Sequence, residues 1–570
     1  MTRLSLAVSA LILAPLAVAQ LTEKQKIADL ESLAAIYAKN YAPHDWKKAA
    51  FDFDLFDLRP WVERVKATHD DYEYFDVLME YVASLRDGHT TMIVPSSFSA
   101  NLGFTVDIYD GKVLIDSINR SALPQEQYPF AIGDELVSVD NITAEEWIGR
   151  LRKYYPAGNA RTSRRNAAAA IVARSQARVP WLSRLGETAE VVVRRESGEL
   201  ETYTIPWRKS GIPIDFAGPV PDLIRGREGR EVVEEPRGEN DLLAPWQRPL
   251  EKLMEVSVAR EDRTALGVGA QAPSFALPEG FEQRLGRTSS EVFYSGRYVS
   301  EGLRIGFIRI PSYSPPVSAA QAVAGFEREI QWMQENTDGL IIDDTRNPGG
   351  SVSYVEELCR RLIPKTFRSI GFEVRATLAF VAPFLQSWQQ ARASNQPEWV
   401  VAGYEERAKR VLEAYVQNRG KTPPVSLTNP WMDLEPARNG SGQVAAYTKP
   451  LMVLVDEFSS SGGDMFPATL QDAKRALIFG YRTNGLGGSV VNWPDGLNFS
   501  EFGTRVTVTL MIRAENVECS ELPAAPYVEN IGVRPDIEYD WMTRENLMSR
   551  GRPFVEAFTR AMTEHIRKAQ

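Results

Sequence analysis

The sequence feature that most constrains the fold is the stretch from Lys449 to Asp472. Leu451 to Val455 is an uninterrupted apolar run, which is typical of a buried parallel strand. Ser459-Ser-Ser-Gly-Gly463 follows as a tight turn, and Asp464 opens a helix. This order exposes a serine hydroxyl at a helix N-terminus, where backbone amides favour negative charge. A Ser-capped turn without any chemistry explains the same residues, so the rest of the chain has to decide.

Strand-like and helix-like patterns alternate on both sides of this stretch, and this alternation predicts the fold of the second half of the chain. Strand-like runs at 303–310, 340–342 and 476–480 alternate with helical patterns such as the amphipathic one over 323–333. Strands that alternate with helices predict a mostly parallel sheet covered by helices. We therefore expect a multidomain α/β (α+β) protein.

The N-terminus has the composition of a secretory signal peptide. Arg3 precedes an apolar core over 4–18, and Ala17-Val-Ala19 is a small-residue cleavage signature. We expect residues 1–19 to be removed and the protein to be secreted, with no membrane anchor, because no later apolar run is long enough to span a bilayer. The net charge of −10 and the lack of a polybasic run argue against nucleic acid as a partner.

Secretion would allow both N-glycosylation and disulfide formation. Four Asn-x-Ser/Thr acceptors are candidate glycosylation sites: Asn119, Asn141, Asn439 and Asn498. The two cysteines, Cys359 and Cys519, either form one disulfide or remain separate thiols, and the sequence leaves both alternatives open. Neither cysteine has metal-ligand spacing to a histidine, so we expect no metal.

Changes of pattern divide the chain into six segments. They are a signal peptide (1–19), a helical region with a histidine motif (20–98), a β-rich domain (99–209), an insertion (210–299), an α/β core (300–541) and a C-terminal helix (542–570). The insertion is polar and broken by Gly and Pro, so we expect it to be exposed and in part mobile. Its composition suggests the hypothesis of an inhibitory or processed loop.

The β-rich segment resembles a PDZ domain. Asn101-Leu-Gly-Phe104 is similar to the PDZ Gly-Leu-Gly-Phe loop, and residues 133–139 are similar to the segment before the second PDZ helix. In such domains loop amides receive the C-terminus of a peptide, which adds a strand to the sheet. The resemblance thus assigns peptide binding to Leu102, Gly103 and Phe104. An unrelated small β-domain is the alternative.

A second glycine turn and a small set of histidines point to a serine nucleophile. Residues 343–350 end in adjacent glycines before a helix, so Gly349, Gly350 and Gly462 are candidates for an oxyanion hole around Ser461. A serine nucleophile needs a base. Of the four histidines, only His89 stands at a helix-to-strand junction beside small and hydroxyl residues; the others are His44, His69 and His565.

Together these motifs resemble the C-terminal-processing (tail-specific) serine peptidase family. Leu85-Arg-Asp-Gly-His-Thr90 is similar to its histidine motif, 343–350 to its oxyanion loop and 458–464 to its nucleophile turn, which puts the nucleophile at Ser461. Residues 527–536 are similar to its Glu-Asn-x-Gly-Val-x-Pro-Asp ending. The resemblance implies a crotonase/ClpP-like α/β core, protein or peptide substrates and no cofactor. A homodimer stays open.

The base distinguishes this chain from bacterial members, which carry a lysine in a Thr-x-Gly-Lys-Gly loop. Leu486 stands at that position and cannot accept a proton, and Lys474 is a weak substitute. The turn after Ser461 instead resembles the branch that contains tricorn protease and chlamydial protease-like activity factor, where an N-terminal histidine is the base. The resemblance therefore implies His89 as the base and Glu529 as the residue that orients it.

Two alternatives stay open. Three other glutamates rival Glu529 on sequence position alone: Glu515, Glu518 and Glu521. A catalytically inert ligand- or peptide-binding protein on the same fold is the alternative to a secreted serine endopeptidase. Retention of His89, Ser461, Glu529 and both glycine turns favours the peptidase.

Overall fold

The computed structural model describes residues 20–52, 54–214, 240–257, 266–493 and 497–570. The predicted signal peptide lies outside these residues. The N-terminal region is helical, as its apolar spacing predicts, and a short strand follows the histidine motif. Its elements are α1 (Glu23–Asn40), α2 (His44–Phe51), α3 (Arg59–Lys66), α4 (Asp71–Ala83) and β1 (Thr91–Ile93).

The next region is β-rich, as predicted. Its elements are β2 (Ser99–Asn101), β3 (Phe104–Tyr109), β4 (Lys112–Ile118), β5 (Glu135–Val139), β6 (Ile142–Thr143), α5 (Ala144–Leu151), α6 (Ala160–Ala169), β7 (Ala173–Ser175), β8 (Thr188–Arg194), β9 (Leu200–Pro206) and β10 (Arg208–Ser210). An antiparallel sheet in the order β3-β4-β5-β8-β9 forms its body. Thr143 caps α5 with the reciprocal bonds of a capping box, which explains why the helix begins there.

The remainder of the chain carries the large α/β domain. Its elements are β11 (Glu255–Ser257), β12 (Glu282–Leu285), β13 (Tyr294–Ser300), β14 (Leu303–Arg309), α7 (Ala319–Asn336), β15 (Gly339–Asp343), β16 (Gly349–Ser351), α8 (Val352–Arg360), β17 (Phe367–Arg368), β18 (Gly371–Val374), α9 (Leu378–Ala393), α10 (Glu398–Val416), β19 (Asp433–Leu434), β20 (Leu451–Val455), α11 (Gly462–Asp472), β21 (Leu477–Gly480), β22 (Val490–Trp493), β23 (Gly503–Thr507), β24 (Thr509–Val517), β25 (Ala525–Tyr527), β26 (Ile537–Glu538), α12 (Arg544–Met548) and α13 (Arg552–Ala569).

A seven-stranded sheet in the order β12-β13-β14-β15-β20-β21-β26 organises this domain. The strands from β14 to β26 pair in parallel, and β12 and β13 add an antiparallel edge. Strand β12 and residues 294–299 of β13, which the polar pattern assigned to the insertion, thus belong to the main sheet. The prediction failed there because an antiparallel edge strand needs little apolar sequence. The insertion residues 215–239 and 258–265 lie outside the described residues.

The core lies on both faces of the central strands. Every residue of β15 and β20 is buried, as expected for parallel strands covered on two sides. On one face, α13 packs Phe554, Phe558 and Met562 against Phe307, Ile341 and Met452. The other face packs against α7, α8 and α11.

Two strand pairings bring distant segments to this domain. β1 pairs with β23, with Thr91 opposite Arg505, so the histidine motif is held at the edge of the α/β domain. β11 pairs antiparallel with β16, with Val256 opposite Gly350. The insertion therefore runs alongside the predicted oxyanion loop.

Both cysteines are free thiols. Cys359 is buried in α8, and Cys519 is half-buried after β24. The disulfide alternative is therefore wrong, and the two thiols are separate. Among the described helices, none has the length and apolar character that a membrane crossing requires.

Candidate active site

The nucleophile turn lies between β20 and α11, where the apolar run and the Ser/Gly sequence predict it. Ser461 has φ 62° and ψ −107°, a conformation that costs energy for any residue with a side chain. The Ser461 side chain is fully buried, and its Oγ has no hydrogen-bond partner among the described residues. The chain thus holds a free hydroxyl at the start of a helix.

Asp464 anchors this turn to the loop after β21. Its carboxylate accepts hydrogen bonds from the amide of Ser461, from the Gly485 amide at 2.8 Å and from the Leu486 amide at 3.0 Å. Thr483 also donates its hydroxyl to it. Burial raises the pKa of Asp464 to about 6, while these hydrogen bonds counteract the rise. The loop that carries Leu486 is therefore fixed against the nucleophile helix.

The two glycine turns meet backbone to backbone. A Cβ on Gly462 would lie 3.0 Å from the Gly350 amide nitrogen, and one on Gly349 would lie 2.7 Å from the Gly462 amide nitrogen. Gly349 has φ 90°, so only glycine fits without strain. The Gly349 amide donates to Asn347 Oδ1 at 2.9 Å. Gly350 and Gly462 therefore lie backbone to backbone at the nucleophile turn.

His89 lies in the loop between α4 and β1, and Asp87 shapes that loop. Asp87 Oδ1 accepts the His89 amide at 2.8 Å, and Oδ2 accepts the hydroxyl of Thr507 at 2.8 Å. A Cβ on the neighbouring Gly88 would lie 3.2 Å from Leu486 Cδ2. Contacts through Leu486 and Asp464 thus connect the histidine loop to the nucleophile turn.

The imidazole of His89 is fully buried, and neither ring nitrogen has a hydrogen-bond partner among the described residues. Burial lowers the pKa of His89 to about 3, with further lowering by Arg505 and Lys47 and an opposing effect of Asp87. The ring is therefore neutral, the form that a general base requires. By contrast, His69 is exposed beside Glu73 and His565 is half-buried in the terminal helix.

Glu529 is fully buried and has two partners. Its Oε2 accepts the Gly487 amide at 2.9 Å, and its Oε1 accepts the ammonium group of Lys47. Burial and the charge of Asp87 raise the pKa of Glu529 to about 7, and Lys47 counteracts the rise. The three rivals, Glu515, Glu518 and Glu521, are all exposed. Burial beside the catalytic loops therefore distinguishes Glu529 from them.

The three candidate side chains lie in one buried region without being bonded to one another. The described hydrogen bonds include none between Ser461 and His89 or between His89 and Glu529. A cavity of about 20 Å³ next to them, lined by Gly88, Ser460 and Leu486 among others, has room for about one water molecule. The site is closed in this state.

Strand β11 contributes to this closure. A Cβ on Gly349 would lie 2.3 Å from the carbonyl oxygen of Val256, so the strand lies directly against the glycine loop. Leu253 and Val256 are buried, and Ser489 donates its hydroxyl to the Leu253 carbonyl. Strand β11 therefore covers the glycine loop on this side.

Other predicted residues lie elsewhere. Lys474 is exposed at the far end of α11, roughly 20 Å from Ser461 at 1.5 Å rise per residue, so it is too distant to be the base. In the PDZ-like loop, Leu102 and Phe104 are buried. The Leu102 amide donates to Val172 at 2.9 Å and the Gly103 amide to Asn101 Oδ1 at 3.1 Å, so neither is available to a peptide here. Of the sequons, Asn119, Asn141 and Asn498 are exposed and Asn439 is half-buried.

The sequence reasoning missed Lys47, Asp87 and Asp464 as members of this region. Asp87 lies inside the histidine motif and Asp464 directly follows the two glycines of the nucleophile turn. Their positions in these motifs could therefore have indicated that both lie near the site. Lys47 lies in α2 within a stretch that matches no motif, and nothing in the sequence connects it to Glu529. The described residues contain no group of three or more His, Cys, Asp or Glu arranged to hold a metal ion.

The fold and the buried serine turn beside a glycine loop define a serine-type peptidase with an attached PDZ domain. Residues 304–539 match the model of peptidase family S41, and residues 98–214 match that of a PDZ domain. The α/β domain thus matches this family model, and the protein is a serine peptidase.

Relatives match over almost the whole chain. A Chlamydia pneumoniae protein is 27% identical over 594 residues, covering 94% of this chain and 90% of that protein. A protein of Chlamydia trachomatis serovar D is 24% identical over 595 residues, covering 94% and 92%. The structure of mature CPAF complexed with lactacystin has a TM-score of 0.73 at 21% identity, covering 96% of this chain and 99% of that one. This similarity shows a common fold.

Proposed function

We propose that this protein is a secreted serine endopeptidase with Ser461 as nucleophile, His89 as general base and Glu529 as the residue that orients the imidazole. Ser461 Oγ attacks the scissile carbonyl while His89 takes its proton and later gives it to the leaving amine. Glu529 stabilises the imidazolium that forms. The amides of Gly350 and Gly462 donate to the oxyanion.

One observation carries this proposal above the others. The glycine loop and the N-terminus of α11 meet at the unpartnered hydroxyl of Ser461, held at φ 62°. A strained backbone and an unsatisfied buried hydroxyl both cost folding free energy, so their coincidence at one residue supports a chemical role. The neutral, unpartnered imidazole of His89 supports the choice of base.

The test is covalent labelling by a fluorophosphonate probe together with hydrolysis of a peptide library. We expect Ser461→Ala and His89→Ala to abolish both, and Glu529→Gln to slow hydrolysis by at least about a hundredfold. Ser460→Ala in the same turn and the exposed His69→Ala are matched controls that should retain activity. Each variant is also tested in combination with Val256→Asp, because this substitution should release strand β11 from the glycine loop and give the probe access to Ser461. Labelling that persists in Ser461→Ala would overturn the nucleophile assignment.

Secretion and glycosylation form the cellular part of the proposal. The N-terminal pattern supports removal of residues 1–19, and the exposure of Asn119, Asn141 and Asn498 leaves them accessible to a glycosyltransferase. N-terminal sequencing of protein from the medium should give Gln20 as the first residue. Enzymatic removal of N-glycans should lower its mass. An intact Met1 in the medium would contradict the first expectation.

A further inference from the structure

A second, larger cavity lies next to the closed site. Its volume of about 580 Å³ falls within the range of roughly 300–1,000 Å³ that is typical of ligand pockets. It shares Pro156 and Ala157 with the small cavity beside Leu486, and its wall includes Asn530, the residue after Glu529.

Positive charge dominates the lining of this cavity, although the chain as a whole has a net charge of −10. The ionisable groups that line it are Arg86, Arg152, Lys153, Arg482 and Glu521. Lys153 pairs with Asp76 at 2.9 Å, and Glu521 pairs with Arg534 at 2.8 Å. We refer to the cavity as the arginine cavity, after its three remaining guanidinium groups.

None of these three guanidinium groups lies within salt-bridge distance of a carboxylate in the described part of the chain, although the charge of Glu145 acts on Arg152 and that of Glu521 on Arg482. Arg86 stacks on Phe51, with its Cζ 4.4 Å from the ring centre, and Arg152 is exposed. Arg482 donates from one nitrogen to the Asn530 carbonyl, but its buried Nε has no hydrogen-bond partner among the described residues. Guanidinium groups bind carboxylates through paired, directional hydrogen bonds, so these groups are suited to receive acidic side chains.

The first turn of α6 adds to this field. Ala160 and Ser163, at the start of a ten-residue helix, line the same cavity. The amide end of a helix carries partial positive charge and favours anions close to it. The arginines and the helix end therefore contribute the same sign to one half-open cavity, and Glu521 and the nearby Glu145 oppose them.

We infer that the arginine cavity binds acidic side chains of a protein substrate next to the scissile bond. The inference deepens the proposed function and rests on it for the identity of the ligand as a substrate. The shared wall at Pro156 and Ala157 places the arginine cavity beside the small cavity, which favours a peptide over other anions, because a bound substrate chain is the molecule that the adjacent catalytic loops receive. The enzyme would thus prefer cleavage sites with Asp or Glu on one side.

The test measures binding and catalysis separately. Binding to the Ser461→Ala protein is measured by fluorescence anisotropy with a labelled eight-residue peptide that contains three Glu, and with the same peptide carrying Gln instead. The variants are Arg86→Gln, Arg152→Gln and the double variant, and Arg328→Gln in the exposed face of α7 is the matched control. We expect the Glu peptide to bind at least about tenfold more tightly than the Gln peptide at low salt, and the double variant to lose that preference.

The outcomes separate this inference from the proposed function. The inference that the arginine cavity binds acidic side chains is wrong if the two peptides bind equally, or if the double variant keeps the preference for the Glu peptide. This holds even when the enzyme is labelled by the probe and hydrolyses peptides normally. If the protein prefers the Glu peptide but is not labelled by the fluorophosphonate probe, the result supports acid binding in the arginine cavity. The same result counts against Ser461 as the nucleophile. The labelled Glu peptide is also displaced with an oligonucleotide and with unlabelled Glu peptide. If the oligonucleotide displaces it at the lower concentration, a peptide is not the ligand of this cavity. In the active enzyme, the double variant should lower kcat/KM for the Glu substrate by a larger factor than kcat/KM for the Gln substrate.

Discussion

The ammonium group of Lys47 donates a hydrogen bond to Oε1 of Glu529, although 482 residues separate them and both side chains are fully buried. Lys47 also donates to Asn530 Oδ1 at 2.6 Å and to the Arg86 carbonyl at 3.1 Å. A buried carboxylate needs such a partner to remain ionised. A residue of the N-terminal helix α2 therefore controls the charge of the candidate orienting residue.

Replacing Lys47 should move the acid limb of the pH profile. The positive charge of Lys47 lowers the pKa of Glu529, which burial and Asp87 raise to about 7. Lys47→Met removes the lowering effect, so Glu529 becomes ionised only at higher pH. We expect the rise of kcat/KM with pH to shift upward by about one pH unit. Lys47→Arg keeps the charge and is the control, and an acid limb that stays in place in Lys47→Met would refute a role through Glu529.

Replacing Asp87 should move the same limb in the opposite direction. The negative charge of Asp87 raises the pKa of Glu529, so Asp87→Asn lets Glu529 ionise at lower pH. The asparagine retains an oxygen that can accept the His89 amide. Thr507→Val removes one hydrogen bond to Asp87 without removing charge and should leave the limb in place. Equal shifts in Asp87→Asn and Thr507→Val would show that loop structure, rather than charge, causes the effect.

Gly349→Ala should damage both folding and catalysis. A Cβ there would lie 2.3 Å from the Val256 carbonyl oxygen and 2.7 Å from the Gly462 amide, and φ is 90°. We expect a loss of roughly 1–3 kcal/mol in the free energy of unfolding and a fall in kcat of at least about a hundredfold. Denaturant unfolding and peptide turnover measure the two effects.

Gly325→Ala is the matched control for this substitution. In α7 a Cβ on Gly325 meets only an Arg328 side-chain nitrogen at 3.9 Å. Alanine in a helix is roughly 0.5–1 kcal/mol more favourable than glycine, so this variant should be slightly stabilised and fully active. A Gly349→Ala enzyme with normal turnover would exclude this loop from the oxyanion site.

Weakening strand β11 should open the site. Val256 is fully buried opposite Gly350, so Val256→Asp places a charge in that contact and favours release of the strand. We expect the fluorophosphonate labelling rate of the full chain to rise at least about fivefold. Lys252→Ala, an exposed change in the same segment, should leave the rate unchanged. If Val256→Asp labels at the original rate while its unfolding shows an intact fold, β11 does not limit access.

The sequence by itself determined the parts of this protein that depend on neighbouring residues. The apolar run at 451–455, the Ser/Gly turn and the helix after it follow from burial and turn chemistry over a few residues, and the structure has them as predicted. The β-rich character of residues 99–209 and the parallel α/β sheet follow from local periodicities, and the PDZ assignment followed from the motif resemblance at 101–104 and 133–139. The paired glycines stand out in a short turn, whereas the choice of Ser461 among three serines and of His89 as the base depended on the resemblance to the peptidase family.

Only the tertiary structure decided which distant groups meet. No periodic pattern in the sequence predicts that Lys47 pairs with Glu529 or that β11 pairs with the loop at Gly349 and Gly350. The separation of Cys359 from Cys519 is equally absent from any local pattern. The same holds for β12 and β13, whose polar residues joined the main sheet through backbone hydrogen bonds. Such contacts depend on burial and hydrogen bonding across hundreds of residues, and a local pattern carries no information about them.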